Sequence, residues 1–261
     1  MRPEEGSDPQ RETIVVKKYK AILFDFFETV VNFNLGELST KEGTLDTKKL
    51  IEQSYRIFHR YYPKVDFEEF YAALRSIYQE LMSERERHLR EIPAEDRFRR
   101  LFARLNIPLD ANSQAPLEEI LQDHMGSIKQ VSSFPQEHYR VLETLSKNYK
   151  LGLLSNFDHA ATLLELLDKF GIRPLFHKVI VSVEIGIRKP HPDIFLRMLE
   201  GLGVKAEEAI FVGDDQKADL LGAKKLGMAV AWLNRKGKSL QEGIPQPDYE
   251  IGSLNELLDF L

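Results

Sequence analysis

Residues 21–24 read Ala-Ile-Leu-Phe and run without a polar break into Asp25. An unbroken apolar run is the pattern of a central parallel strand, because both of its faces are covered. The period then changes. From about Asn34 to Gln130 only helical patterns occur. Asp46 is placed to cap a first helix carrying Ile51, Tyr55, Phe58 and Tyr62. Asp66 and Glu69 form a capping-box pair ahead of Phe70, Leu74, Ile77 and Leu81. A third helix follows Pro93, with Phe98, Leu101, Phe102 and Leu105 on one stripe, and a fourth follows Pro116, with Leu117, Ile120, Leu121 and His124. The stretch Arg85–Arg100 is dense in Arg and Glu, and a solvated helix face is its favoured reading over a substrate-facing rim.

From Pro135 onward short apolar runs alternate with helical ones. Strands are expected at 150–154, 178–183, 209–212 and 228–233. Helices are expected from Pro135, over 160–170, from Pro192, over 217–226 with Gly227 as its C-cap, and near Leu254. Alternation of this kind implies a right-handed parallel sheet. The strand before Asp25 belongs to that sheet, so the helical stretch is an insertion. The fold class is therefore α/β, a Rossmann-like parallel sheet core with an inserted all-helical four-helix bundle. The expected units are a flexible leader over 1–15, a core over 16–33 and 131–261, and the insertion over 34–130.

Composition narrows the function classes. The chain has 36 Lys+Arg against 41 Asp+Glu, a net charge of -5, so no basic excess exists for a nucleic-acid partner. It has no cysteine, which removes disulfides, thiol catalysis and thiolate metal sites and suits a reducing interior. No apolar run approaches the ~20 residues that span a bilayer, and Met1–Thr13 has no apolar signal core. A cytoplasmic protein without a membrane partner is expected. Gly201-Leu202-Gly203 follows a helix rather than a strand, the wrong context for a dinucleotide fingerprint.

The chemistry gathers at strand ends. The first strand ends in Asp25 and the second in Ser155-Asn156; the third leads to Lys189, and the fourth ends in Gly213-Asp214-Asp215 with Asp219 beyond. In a parallel sheet these share one edge, the edge where open α/β sheets bind ligands. Taken singly, each has a structural explanation as a helix cap, a turn or a surface lysine. Together they form a set suited to a phosphoryl group and Mg²⁺. Asp25 and Asp214 can supply carboxylate ligands, Ser155 and nearby backbone N–H groups can hold phosphoryl oxygens, and Lys189 favours the dianion.

The order Asp25…Thr29, Ser155-Asn156, Lys189-Pro190, Gly213-Asp214…Asp219 resembles the haloacid dehalogenase-like hydrolase superfamily over roughly residues 18–235, in the branch with a helical cap after the first strand. The resemblance implies that Asp25 is a nucleophile forming an aspartyl-phosphate. It implies that Asp25, the Phe27 carbonyl and Asp214 hold Mg²⁺ while Asp219 orients the metal shell, and that Thr29, Ser155, Asn156 and Lys189 hold phosphate. The expected activity is a Mg²⁺-dependent phosphohydrolase for a small phosphorylated metabolite, with the bundle as a mobile, substrate-selecting cap. One departure matters. Family phosphatases carry a second Asp two residues after the nucleophile, then Gly; here Phe27 and Glu28 stand there. Loss of a general acid–base costs about 10²–10⁴-fold, so poor leaving groups should be hydrolysed slowly. Glu28, Asp158 and His159 are the candidate replacements. The alternatives are a 2-haloacid dehalogenase-type hydrolase, which also carries an aromatic at that position, and a degenerate member that binds a phosphorylated ligand or a partner without turnover. The substrate and the oligomeric state are left open.

Overall fold

A computed structural model describes residues 19–34 and 47–261. The expected leader and the Asp46 cap lie outside the described residues. Strand β1 (Ala21–Phe24) is fully buried, as its composition predicts. It pairs in parallel with β4 (Lys150–Ser155) on one side and β6 (Ala209–Gly213) on the other. With β5 (Lys178–Val181), β7 (Ala229–Leu233) and β8 (Tyr249–Ile251) they form a six-stranded parallel sheet in the order β5-β4-β1-β6-β7-β8. Side chains alternate between its faces. Phe24, Leu153 and Val212 enter one core, and Leu23, Leu154 and Phe211 the other. Helices α5 (Gln136–Ser146), α6 (Ala160–Lys169) and α8 (Pro192–Leu202) supply buried Val141, Leu163 and Phe195 to these two layers.

The inserted unit comprises α1 (Thr47–Tyr61), α2 (Phe67–His88), α3 (Ala94–Arg104) and α4 (Ala111–Val131). Its own core contains Phe58, Phe70, Phe98, Phe102 and Ile120, all fully buried. Burying such a side chain contributes about 1.5–3 kcal/mol, so the unit has a core independent of the sheet. The chain leaves and re-enters the sheet domain at one point. There β2 (Asn32–Phe33) pairs antiparallel with β3 (Ser132–Ser133). A second junction joins the α2–α3 connection to the sheet domain. Glu91 N–H donates to Gly186 O at 3.0 Å, Arg188 N–H to Leu89 O at 3.0 Å, and Ala94 N–H to Asp158 O at 2.9 Å.

Several local expectations are corrected. Helix α4 starts at Ala111, not after Pro116, because Asp110 and Ser113 cap it reciprocally. Pro116 lies inside the helix, where it removes one backbone donor. The expected cap of α2 is present, with Asp66 accepting from the Glu69 N–H. Helix α5 begins one residue after Pro135, which sits at its N-cap. The strand expected over 178–183 ends at Val181, where the short helix α7 (Ser182–Ile185) begins. The helix expected over 217–226 is a π-helical turn at Gln216–Leu221 followed by α9 (Gly222–Lys224), and the terminal helix is 3₁₀ over Leu254–Asp259. Among the described residues no helix is long and apolar enough to cross a membrane.

Candidate active site

Because β1 lies between β4 and β6, the residues leaving these three strands meet at one edge. Asp25 is anchored there by its N–H, which donates to Val212 O at 2.9 Å. Lys189, buried, reaches the same point from the loop after α7. Its Nζ lies 2.6 Å from Asp25 Oδ1 and 2.7 Å from Asp219 Oδ1. Carboxylate oxygens of Asp25, Asp214 and Asp219 lie within 4.8 Å of one another. Gly213 is required for this approach, since a Cβ there would collide with the Asp219 carboxylate.

The electrostatics follow from crowding. Burial, then Asp25 and Asp215, pushes the Asp214 carboxyl up to about 7. Burial alone would lower Lys189, but the carboxylates of Asp219 and Asp25 outweigh it and hold the ammonium above the ordinary lysine range. One cation thus faces three carboxylates. Hard oxygen donors so close together, with Asp214 and Asp219 both pushed toward protonation, fit a divalent ion such as Mg²⁺.

Ser155 and Thr29 are both buried at this edge. Thr29 Oγ1 has no hydrogen-bond partner among the described residues, so it is available to an incoming oxygen. Asn156 does something the sequence did not indicate. Its amide nitrogen donates to Lys189 O at 2.9 Å and its oxygen accepts from Lys189 N–H at 2.8 Å, fixing the loop that carries the lysine.

The turn after Asp25 is strained and braced. Glu28 adopts φ 59°, the left-handed region that explains why glycine suits this position. Arg235 donates to Glu28 O at 2.6 Å and Thr29 O at 3.0 Å, and His138 Nδ1 lies 2.8 Å from Val30 O. Neither bracing residue carries a sequence signal, because each acts on backbone distant in the chain. Phe27 stacks on Phe33 with ring centroids 5.2 Å apart and meets Phe157 at 4.9 Å. An aromatic cluster therefore occupies the place of a proton donor.

The candidate replacement acids are otherwise engaged. Against the cost of burial, Arg97 and Arg85 hold Asp158 below the usual carboxylate range, so it does not carry a proton to donate. His159 caps α6 by accepting from Thr162 N–H at 3.3 Å. Glu28 accepts from Phe33 N–H at 3.1 Å.

Beside the strand ends, between insertion and sheet domain, lies a cavity of about 480 Å³. Asn156 and Phe157 form its floor, with Phe33, Tyr71 and Tyr78 among its walls. The Arg85–Arg100 stretch divides here. Arg99 and Arg100 pair with Glu95 and Glu84 in partly exposed bridges. Arg85 and Arg97 instead turn inward. Arg85 bridges Glu91 at 2.9 Å and Asp158 at 3.0 Å, and Arg97 pairs with Asp158. The reading of a solvated face is thus corrected for those two. Arg97 also donates to His124 Nε2 at 3.0 Å, and burial, with Arg97 beside it, lowers His124 to about 3.

Residues 43–233 match the model of the family described as haloacid dehalogenase-like hydrolase. The chain belongs to that family. The matched stretch begins after β1, so Asp25 stands outside it. A glyceraldehyde 3-phosphate phosphatase of Methanopyrus kandleri is 29% identical over 245 residues, covering 92% of this chain and 96% of the relative. A 2-haloacid dehalogenase from Pseudomonas syringae superposes with a TM-score of 0.68 at 23% identity, covering 93% of this chain and 97% of the other. A HAD phosphatase from Thermococcus onnurineus does so with a TM-score of 0.60 at 25% identity, covering 92% and 96%. Other dehalogenase folds of the family are similar in the same way.

Proposed function

We propose that the protein is a Mg²⁺-dependent phosphohydrolase acting through an aspartyl-phosphate on a small phosphorylated metabolite whose leaving group departs without a proton. The observation that carries this reading is the convergence of Lys189 with Asp25, Asp214 and Asp219 on one sheet edge. The phosphatase names of the full-length relatives support it.

An Asp25 carboxylate oxygen attacks phosphorus. The bond from phosphorus to the leaving oxygen breaks, and its electron pair stays on that oxygen as an anion. Thr29, Ser155 and Lys189 receive the non-bridging oxygens. Water then attacks the phosphorus of the aspartyl-phosphate, regenerating the Asp25 carboxylate and releasing phosphate that carries the water's protons. Asp25, Asp214 and the Phe27 carbonyl would hold Mg²⁺, with Asp219 orienting its shell. When bound, the ion supplies positive charge against the carboxylates and the phosphoryl oxygens. The helical insertion acts as a cap that excludes water and selects the substrate.

The test is phosphate release from aryl phosphates graded by leaving-group pKa, with Mg²⁺ and with chelator. A steep fall in rate as the leaving-group pKa rises is expected, because Phe27 cannot protonate the leaving oxygen. A flat dependence would mean that another group delivers the proton. The aromatic at position 27 also fits a hydrolytic dehalogenase, but three neighbouring carboxylates carry more negative charge than Lys189 alone offsets. Chelator-resistant halide release from a 2-haloacid would establish that second reading.

A further inference from the structure

The cavity wall carries more positive than negative charge. Four arginines line it, Arg75, Arg85, Arg97 and Arg188, against two acidic residues, Glu91 and Asp158. His124 is held neutral and offsets nothing. The surplus can be located. Arg97 is engaged by Asp158 and His124 and lies over the Tyr78 ring at 4.5 Å. Arg85 is engaged by Glu91, by Asp158 and by Ile92 O at 3.0 Å. Glu91 in turn is largely satisfied, since Ser182 Oγ donates to its Oε2 at 2.6 Å and Arg85 holds its Oε1.

Of the other two arginines, Arg75 is exposed to solvent, which leaves Arg188 as the enclosed cation to account for. Among the described residues its one ion pair is to Glu91 at 3.5 Å, yet only 20% of its side chain is exposed. Asp215, also near it electrostatically, caps the π-helical turn through Lys217 and Ala218 N–H. A largely buried guanidinium with so weak a partner is costly unless an anion joins it. Arg188 also immediately precedes Lys189, which touches Asp25, and Asn156, which lines the cavity with Arg188, is hydrogen-bonded to the Lys189 backbone.

The glyceraldehyde released by the relatives' named substrate has six non-hydrogen atoms. At a water's share of ~30 Å³ each, they would fill roughly 180 Å³, well under half of the cavity. Phe33, Tyr71, Tyr78 and Phe157 are among the residues that line the cavity. We infer that this cavity is the leaving-group site for an anionic, ring-sized group, and that Arg188 is its specificity-determining residue, binding a carboxylate on the part of the substrate that departs. The inference rests on the phosphohydrolase reading. It names the substrate class as phosphates of acidic hydroxyls, aryl or enol, that carry a carboxylate. Such a leaving group departs as a stabilised anion, which suits a site without a proton donor.

The experiment compares 4-carboxyphenyl phosphate with 4-chlorophenyl phosphate, whose leaving phenol carries no carboxylate and has nearly the same acidity, so that leaving-group strength does not enter the ratio. A charge-assisted contact supports about a 10–100-fold preference in kcat/KM for the carboxylate, carried mainly by KM. In Arg188→Ala that ratio should fall to about one, and Arg188→Lys should recover part of it. A thermal melt of each variant separates lost selectivity from lost folding. A wild-type ratio of one or below overturns the inference, as does a ratio that survives Arg188→Ala. If neither compound is turned over, calorimetric titration of both into the Mg²⁺-loaded protein reads the same ratio. A carboxylate preference without turnover removes the hydrolytic reading and leaves the anion site standing; equal affinities remove the anion site.

Discussion

Lys189→Met removes the one buried cation that holds the acidic edge together. The ammonium is 1% exposed and lies 2.6 Å from Asp25 and 2.7 Å from Asp219, whose side chains are themselves 12% and 2% exposed. Taking one partner from a buried pair leaves an uncompensated charge and typically costs about 3–5 kcal/mol. Here two carboxylates lose their partner at once, with Asp214 beside them. For a chain of this size the melting temperature should fall by roughly 6–20 °C. Methionine nearly matches the lysine stem, so little of the loss comes from packing. The assay is denaturant or calorimetric unfolding of both proteins at pH 5 and pH 8, with and without Mg²⁺. Protonation of a carboxylate and binding of the ion both relieve repulsion, so the deficit should be smaller at pH 5 and smaller again with Mg²⁺. A loss below about 1 kcal/mol, indifferent to pH and Mg²⁺, would show that the lysine does not hold these carboxylates together.

Other expectations follow from the same contacts. Arg97 and Arg85 hold Asp158 below its ordinary value, so the stability it contributes is present above about pH 4 and is lost as pH falls through its depressed folded pKa. Asp158→Asn should flatten the acid limb of a stability–pH curve, and an unchanged limb would contradict the pairing. Gly213→Ala drives a methyl group into Asp219 and should weaken Mg²⁺ affinity by about 10–100-fold, read by titration of the metal against melting temperature. Arg235→Ala frees the carbonyls of Glu28 and Thr29 and should lower kcat more than it raises KM, with Arg235→Lys intermediate.

The meeting of polar residues at the strand ends was legible because a polar residue closing an apolar run has few places to go. Asp25, Ser155 and Asp214 each end such a run, and the parallel order then brings them together. The insertion was legible from a change of period alone. What could not be read was the partner of a charge. Arg85 on α2 and Arg97, Arg99 and Arg100 on α3 look alike in the sequence, yet two of them pair with Asp158, far along the chain. The bracing contacts of Arg235 and His138 were hidden for the same reason. Pro116 misled because proline favours a helix start, whereas the reciprocal bonds of Asp110 and Ser113 had already set the start upstream. The strand β8 spans three residues, too short for any alternation to register.

The most direct measurement traps the covalent state. The protein, loaded with Mg²⁺, is mixed with an activated aryl phosphate, quenched in acid within one turnover, and digested for mass spectrometry. The peptide containing Asp25 should gain the mass of one phosphoryl group, and the Asp25→Asn variant should neither gain it nor release phosphate. Phosphate release with the label on another residue, or from the Asp25→Asn variant, would contradict nucleophilic attack by Asp25.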